Sequence, residues 1–227
     1  MIQEDWKRLA VLTIAVLTGC LGVAHATDTI SGKVEIVDGD TIEIAGASIR
    51  LYGIDAPEAG QKCGDAKGGS WPCGNEATTA MADLAEGKEA ECQILGKDDY
   101  DRFLGICTVD GVIINERMVA DGYAWAFIKY ADDYVGIEQQ SRAAKVGVWQ
   151  GPAKAPWDYR AERWVVAEQE APNGCPIKGN ISSNGKIYHP PWSPWYARTK
   201  IDLSKGERWF CSEREAIDAG WRAPRWK

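Results

Sequence analysis

Charged side chains lie at the ends of short apolar runs in residues 35–58, where an uncompensated charge would weaken a strand. The acidic members are Asp38, in an Asp-Gly turn signal, with Asp40, Asp55 and Glu58, and Arg50 lies among isoleucine and leucine residues. Neighbouring carboxylates repel each other unless a cation lies between them. Oxygen-only ligation favours calcium or magnesium, and a loose set of carboxylate, backbone carbonyl and water suits calcium better. These residues therefore predict a site for a hard cation.

Residues 27–166 contain no histidine, because the two histidines of the chain are His25 and His189. This absence excludes a histidine base, a serine triad and a histidine-rich zinc site from that part of the chain. Thiolate nucleophiles are excluded too if the cysteines are paired. Carboxylates, arginines, hydroxyls and a recruited cation remain as the available chemistry.

Two arginines could bind the phosphate of a phosphodiester. Arg50 is costly within an apolar strand unless it is paired, and its planar guanidinium matches two phosphate oxygens. Arg102 begins another apolar run in "DDYDRFLG". With a cation, the two arginines could offset the charge that develops in the transition state, while Glu58 orients or deprotonates a water. The predicted reaction is phosphodiester hydrolysis.

The elements that would position these residues are short. Three alternating apolar runs in residues 31–54, separated by turn signals, predict a three-stranded meander. Asp40 would start its second strand and Asp55 would close its third, so both carboxylates could lie at one barrel mouth. The other predicted elements are strands at 90–95 and 103–109 and helices capped by Asn75, capped by Asn115 and spanning 135–145. The pattern predicts a mainly β fold with α (α+β): a five-stranded Greek-key barrel of the OB type with packed helices.

The ordered motifs "VDGDTIEI", "IRLYGIDAPE", "DYDRFLG", "VDGVIINERMVADGYAW" and "SRAAKVGVW" resemble the staphylococcal nuclease (thermonuclease) family over residues 31–149. The family fold is an OB barrel with helices packed on it. The resemblance implies calcium-dependent cleavage of DNA and RNA that leaves 3′-phosphate ends. No obligate protein partner is evident in the sequence, and a monomer is expected.

The resemblance also implies a role for each candidate residue. The metal ligands would be Asp40, Asp55 and the backbone carbonyl of Ala56, and the catalytic residues would be Arg50, Glu58 and Arg102. Glu58 would be the general base or the water-orienting carboxylate, and the two arginines would grip the phosphate. Tyr130 would line the nucleotide pocket.

Two features depart from the family pattern. Asp101 replaces the glycine of the usual Tyr-Gly-Arg motif and adds a negative charge beside Arg102. A loop at residues 60–74 with two cysteines is inserted next to the predicted substrate mouth. The first departure could lower activity, and the second could reshape the mouth.

Residues 1–26 have the layout of a secretory signal: Lys7 and Arg8, an apolar run at 9–24 and cleavage after Ala26. An uncleaved membrane anchor and a lipoprotein processed at Cys20 are the alternatives, and all three export the chain.

The six cysteines other than Cys20 predict disulfides in an exported chain. Proximity along the chain favours the pairs Cys63 with Cys73, Cys92 with Cys107 and Cys175 with Cys211.

The C-terminal part differs in charge from the rest. Residues 27–171 contain 14 Lys and Arg against 26 Asp and Glu, whereas residues 172–227 contain 10 against 5. Residues 167–173 predict a linker, and residues 174–227 a small, basic, Trp-rich module that resembles accessory modules of some nucleases of this family. Cys175, Cys211 and His189 are too few for a closed zinc site. Its tryptophans either help to hold nucleic acid or only pack the module's own core.

Three functions remain distinguishable. The first is an exported, calcium-dependent nuclease. The second is a catalytically weak nucleic-acid-binding module on the same barrel, against which the joint presence of the five charged candidates argues. An OB domain that binds oligosaccharide or protein is the third, and it predicts no effect of calcium on substrate affinity.

Overall fold

The computed structural model describes residues 28–224. The predicted signal peptide at 1–26, with Cys20, lies outside the described residues, as does Trp226. Within residues 28–224, no helix is long and apolar enough to cross a membrane.

Short strands dominate the described chain, as the alternating runs predicted. The strands are β1 Thr29–Ile36, β2 Thr41–Ile44, β3 Ala47–Leu51, β4 Ile54–Asp55, β5 Cys63–Gly64, β6 Ser70–Trp71, β7 Glu89–Lys97, β8 Phe103–Val109, β9 Val112–Ile113, β10 Trp125–Ala126, β11 Ile177–Ser182, β12 Gly185–His189 and β13 Arg208–Phe210. The helices are α1 Cys73–Ala85, α2 Ile114–Ala120, α3 Val135–Ala144, α4 Pro156–Glu170 and α5 Glu213–Asp218.

Five of the strands close into a barrel. β1 pairs antiparallel with β2 and β7, β2 pairs with β3, and β7 pairs with β8. A parallel pairing that sets Ile49 of β3 beside Phe103 of β8 completes the ring. Alternate side chains fill its interior, among them Ile42, Ile44 and Leu51, which are at most 1% exposed. The predicted OB-type barrel with packed helices is confirmed.

Asp55 does not close the third strand. β3 ends at Leu51, and after a turn at Tyr52 and Gly53 the chain forms β4, which pairs with β10 so that Asp55 lies beside Trp125. The prediction of one continuous strand was therefore wrong. Gly53 explains the break, because its φ of 75° turns the chain out of the barrel sheet.

Both predicted asparagine caps were wrong. α1 begins at Cys73, two residues before Asn75, where a disulfide and the close approach of Gly74 to the Glu58 carbonyl fix the chain. Asn115 lies inside α2 and is fully buried. Its side chain donates to the carbonyls of Tyr52 and Gly105 at 3.0 Å each, so it joins the turn after β3 to strand β8.

The three predicted disulfides are present: Cys63–Cys73, Cys92–Cys107 and Cys175–Cys211. The first ties the loop after β4 to the start of α1. The second joins directly opposed residues of β7 and β8. The third joins the start of the C-terminal unit to the end of its last strand.

The C-terminal unit has a small core of its own beside a three-stranded sheet in the order β12-β11-β13. Ile177, Tyr188, Phe210, Ala216 and Trp221 form this core. The predicted linker differs from the structure, since residues 167–170 are the last turn of α4 and Ala167 is buried. The predicted boundaries of the two units stay predictions.

His189 is buried inside this unit. Its ring nitrogens lie 3.0 Å from Asn180 Oδ1 and 3.3 Å from Ser193 Oγ. Burial, with the positive charges of Arg198 and Lys178, lowers the pKa of His189 from 6.5 to about 4. Because the unfolded chain binds the proton more readily, this group stabilises the fold above pH 6.5, and that contribution is lost as the pH falls towards 4.

We expect His189→Gln to weaken this pH dependence. Between pH 7 and pH 4.5, the free energy of unfolding of the wild type should fall by roughly 2 kcal/mol more than that of the variant. Urea titrations at the two pH values measure the difference. Equal losses in both proteins would contradict a neutral, buried His189.

Candidate active site

Arg50 joins the two predicted metal ligands. It alternates along β3 with Ile49 and Leu51, which face the barrel interior, so its side chain lies on the other face. Its Nη1 donates to Asp40 Oδ1 at 2.5 Å and its Nη2 to Asp55 Oδ1 at 2.6 Å. The side chains of Asp40 and Asp55 are 4% and 0% exposed. One guanidinium therefore bridges two buried carboxylates.

Ala56 takes part through its backbone N–H, which donates to Asp40 Oδ2 at 2.7 Å. This bond and the Arg50 pair oppose the effect of burial, which raises the pKa of Asp40. The carbonyl of Ala56 as a metal ligand stays a prediction.

Arg160 was missed by the sequence reasoning. It projects from α4, and its Nη1 donates to Glu58 Oε1 at 2.7 Å and to Asp55 Oδ1 at 3.0 Å. Its Nη2 donates to Asp55 Oδ2 at 2.7 Å. A signal existed, because Trp157, Arg160 and Trp164 are spaced by three and four residues and so share one helix face. That stripe indicates a packed face, but nothing local says what it packs against.

Glu58 lies two residues before the inserted loop, and hydrogen bonds fix both its backbone and its side chain. Its backbone N–H donates to Gln61 Oε1 at 3.1 Å, and the fully buried Gln61 side chain donates to the Lys154 carbonyl at 2.7 Å. Burial raises the pKa of Glu58 to about 8, against the opposing charge of Arg160. A raised pKa makes the carboxylate a stronger base once it has lost its proton, which suits general acid–base work.

Arg102 lies at the edge of the same cleft, where it pairs with Asp98 rather than with the carboxylates around Arg50. Its Nε and Nη2 both lie 2.7 Å from Asp98 Oδ2, and its guanidinium lies over the Tyr100 ring. Its side chain is 28% exposed. Its contact with a phosphate stays a prediction.

Asp101, which replaces the family glycine, adopts a φ of 65°. This left-handed conformation favours glycine, which accounts for the glycine in the family motif. The Asp101 carboxylate accepts from Lys97 Nζ at 2.8 Å rather than from Arg102. Aspartate in place of glycine therefore strains the backbone slightly, and the Arg102 guanidinium remains paired with Asp98.

Tyr130 lines the cleft and is 46% exposed. Its ring packs edge-on against Phe127 at 5.1 Å, and its carbonyl accepts from the Tyr52 hydroxyl at 2.6 Å. The structure thus gives it a half-open aromatic surface. Its contact with a nucleotide stays a prediction.

The oxygen atoms of the two aspartates are the type of ligand that a hard cation prefers. Asp40 and Asp55 supply buried oxygens that need positive charge, and no nitrogen or sulfur ligand lies among them. In the structure, the Arg50 and Arg160 guanidiniums supply that charge, and no group of three or more His, Cys, Asp or Glu within residues 28–224 is arranged to hold a metal. A cation at this position must therefore compete with the guanidiniums for the carboxylate oxygens.

Arg50, Glu58, Arg102, Tyr130 and Arg160 line a cleft of about 750 Å³ between the barrel and the C-terminal unit. Its lining includes Arg50, Glu58 and Arg102 from the barrel, Arg160 from α4, and Trp192 from the C-terminal unit. The charged cluster thus opens into a cleft that both units build.

Comparisons with known proteins agree with the barrel. The family model described as "Staphylococcal nuclease homologue" matches residues 48–151, and a model described as "ArfC" matches residues 160–223. The chain is 34% identical to succinoglycan biosynthesis protein ExoI of Rhizobium meliloti over 60% of this chain and 75% of that one.

Two further relatives carry nuclease names. An uncharacterized endonuclease of Escherichia coli is 34% identical over 56% of this chain and 82% of that one. Probable staphylococcal-like nuclease CAN2 of Oryza sativa subsp. japonica is 32% identical, but this chain covers only 29% of its length. On the family match, these relatives and the closed barrel, the chain belongs to the staphylococcal nuclease family.

Proposed function

We propose that this protein is an exported nuclease that hydrolyses phosphodiester bonds of DNA and RNA with calcium and leaves 3′-phosphate ends. The observation that carries the proposal is the cluster in which Arg50 bridges Asp40 and Asp55 at the cleft that also holds Glu58 and Arg102. Nuclease-named relatives support the reaction class.

In the proposed mechanism, the chain's own residues bind the phosphate and move the proton. Arg50 and Arg102 bind the phosphate oxygens and offset the charge that grows on them. Glu58 accepts a proton from a water as that oxygen bonds to phosphorus. The bond from phosphorus to the 5′-oxygen breaks, that oxygen takes a proton from solvent, and the phosphate stays on the 3′ side.

Asp40 and Asp55 would hold the calcium, together with the carbonyl of Ala56. When bound, calcium supplies a Lewis-acid charge beside the phosphate. Arg50 is bonded to both aspartates in the structure, and it would become available to the phosphate once calcium took its place on their oxygens. Tyr130 would contact the nucleotide.

Export is supported by the three disulfides, which persist in oxidising compartments, and by the pattern of residues 1–26. We propose a periplasmic or secreted protein, with a membrane anchor or lipidation at Cys20 as the alternatives, and a monomer.

Cleavage of circular single-stranded and duplex DNA tests the function. The full chain, made in an oxidising compartment, should nick both in calcium and neither in chelator. Its products should block primer extension until a phosphatase removes the 3′-phosphate. Glu58→Gln should lower the rate about 10²- to 10⁴-fold, because a general base is lost.

Three results would count against the proposal. Products with 3′-hydroxyl ends, or equal rates in chelator, would contradict the proposed reaction. Retention of DNA without any cleavage would favour the binding-module alternative.

A further inference from the structure

We propose that the C-terminal unit gives the cleft an aromatic wall, made of Trp192 and Trp195, that stacks the unpaired bases of single-stranded nucleic acid. The inference rests on the proposed nuclease function, which it deepens by assigning a substrate-binding surface outside the barrel. The wall and the catalytic arginines line one continuous cleft.

The tryptophans of the C-terminal unit fall into two groups. Trp221 is 7% exposed and packs edge-on against Phe210 at 5.0 Å, so it belongs to the unit's own core. Trp192 and Trp195 are half-buried and lie outside that core. Trp195 lies 6.1 Å from the His189 ring and under the Arg198 guanidinium, and both wall tryptophans also line the cleft.

The wall is held in place by a tight turn at residues 190–196. The backbone N–H of Ser193 donates to the Pro190 carbonyl at 2.9 Å, and that of Tyr196 donates to the Ser193 carbonyl at 2.9 Å. Ser193 Oγ also lies 3.3 Å from a ring nitrogen of His189. The turn therefore presents the two indoles from a fixed backbone, which reduces the entropy that binding would lose.

The wall also contacts the loop that follows Glu58. A Cβ on Gly60, two residues after Glu58, would lie 3.5 Å from the Trp192 carbonyl and 3.6 Å from Pro194. Trp192 also lies beside Trp164 of α4, with 6.3 Å between ring centroids and 36° between planes. Helix α4 also carries Arg160, which bonds to Glu58. The wall therefore contacts the charged cluster through two segments, the loop after Glu58 and α4.

The charge of the protein favours stacking as the source of affinity. Residues 27–171 carry 14 Lys and Arg against 26 Asp and Glu, so the barrel attracts a phosphate backbone poorly. Stacking on aromatic rings needs no net charge and tolerates any base, but it requires base faces that a duplex keeps covered. A cleft of about 750 Å³ also has the size of a small-ligand site rather than a duplex channel. The occupant that fits is a single strand with its bases unstacked.

Binding of labelled oligonucleotides to the full chain tests the wall. In a Glu58→Gln background with calcium, anisotropy compares a single-stranded oligothymidylate with a hairpin duplex. The combined substitution Trp192→Ala with Trp195→Ala should weaken single-strand binding about 10- to 100-fold and leave the salt dependence unchanged. Duplex binding should be weak and unaffected.

Trp209→Ala is the matched control, because Trp209 is a half-buried tryptophan of the same unit that does not line the cleft. It should bind single strands as the parent does. The combined substitution Trp192→Phe with Trp195→Phe should retain most of the affinity, which keeps the test decisive if the alanine variant folds poorly. Unchanged affinity of a folded alanine variant, or equal losses in the control, would overturn the wall.

An abasic oligonucleotide, which keeps the phosphodiester backbone but has no bases, separates the two proposals. With Glu58 intact, the alanine variant should hydrolyse it as the wild type does, because this compound has no aromatic ring to stack on the wall. If the wild type cleaves neither this compound nor DNA, the proposed function fails. If it cleaves both, and the alanine variant cleaves single-stranded DNA normally, only the wall fails. Binding of a neutral oligosaccharide that depends on both tryptophans and excludes the oligonucleotide would also overturn it.

Discussion

Arg102→Ala lowers the rate of DNA cleavage by about 10³-fold or more and leaves the melting temperature within about 2 °C of the wild type. Charge-neutralising arginines in phosphoryl transfer contribute rate factors of this size. Arg102 can be lost without unfolding the protein, because its side chain is 28% exposed and the Asp98 carboxylate keeps its hydrogen bonds from the backbone N–H groups of Tyr100 and residue 102. Initial rates on circular DNA and thermal unfolding of the same preparations measure both effects.

Arg117→Ala is the control for this prediction. Arg117 forms the same i,i+4 ion pair with Asp121, at 2.7 Å, but does not line the cleft. Its replacement should change neither rate nor stability. Wild-type rates in Arg102→Ala would contradict the assignment and would leave phosphate binding to Arg50 and Arg160.

Arg50→Ala should behave differently from Arg102→Ala, although both remove a proposed phosphate ligand. Loss of Arg50 leaves Asp40 without an ion pair and takes one of two arginines from Asp55, and both carboxylates are buried. Removing one partner of a buried ion pair costs about 3–5 kcal/mol. Arg50→Ala should therefore lose both rate and stability, whereas Arg102→Ala should lose rate alone. Comparing the two variants separates the catalytic role of an arginine from its structural role.

Arg160→Gln makes the protein less stable in chelator and more responsive to calcium. Without the guanidinium, Glu58 loses its arginine and Asp55 retains its pair with Arg50, so we expect the free energy of unfolding to fall by about 3 kcal/mol. A bound cation would restore positive charge beside Asp55 and would no longer compete with Arg160. Because a ligand stabilises the state that binds it, the rise in melting temperature on adding calcium should be larger in the variant.

Thermal unfolding in chelator and in calcium, with calorimetric titration of calcium, measures this competition. Arg163→Gln is the control on the same helix, since Arg163 is exposed and lies over the Tyr159 ring. It should respond to calcium as the wild type does. An equal calcium response in Arg160→Gln would show that Arg160 and calcium do not share the Asp55 oxygens.

Much of the barrel could be predicted from the sequence because its determinants are local. The alternation of Ile42 and Ile44, and of Ile49 and Leu51, follows from the two-residue period of a strand with one buried face. The disulfide pairs could be predicted because the cysteines of each pair lie near each other along the chain or on neighbouring strands. Arg50 could be singled out because a charge within an apolar run needs a partner.

The asparagine caps could not be predicted reliably, because the polar side chain that begins a helix can instead be claimed by a distant carbonyl. Asn115 bonds to Tyr52, 63 residues away, and the start of α1 depends on the Cys63–Cys73 disulfide and on Gly74. In both cases a tertiary contact outweighs the local preference.

By itself, the sequence determined the type of barrel and the charged residues at its mouth, because strand alternation and turn residues act over a few positions. The tertiary structure alone decided the partners of those charges. Arg160 reaches Asp55 across 105 residues, and Trp192 comes from a unit that follows α4. No periodicity connects such distant positions, since their contact depends on how α4 packs between the two units. The side of the cleft that α4 and the C-terminal unit form therefore depends on tertiary packing and not on any sequence motif.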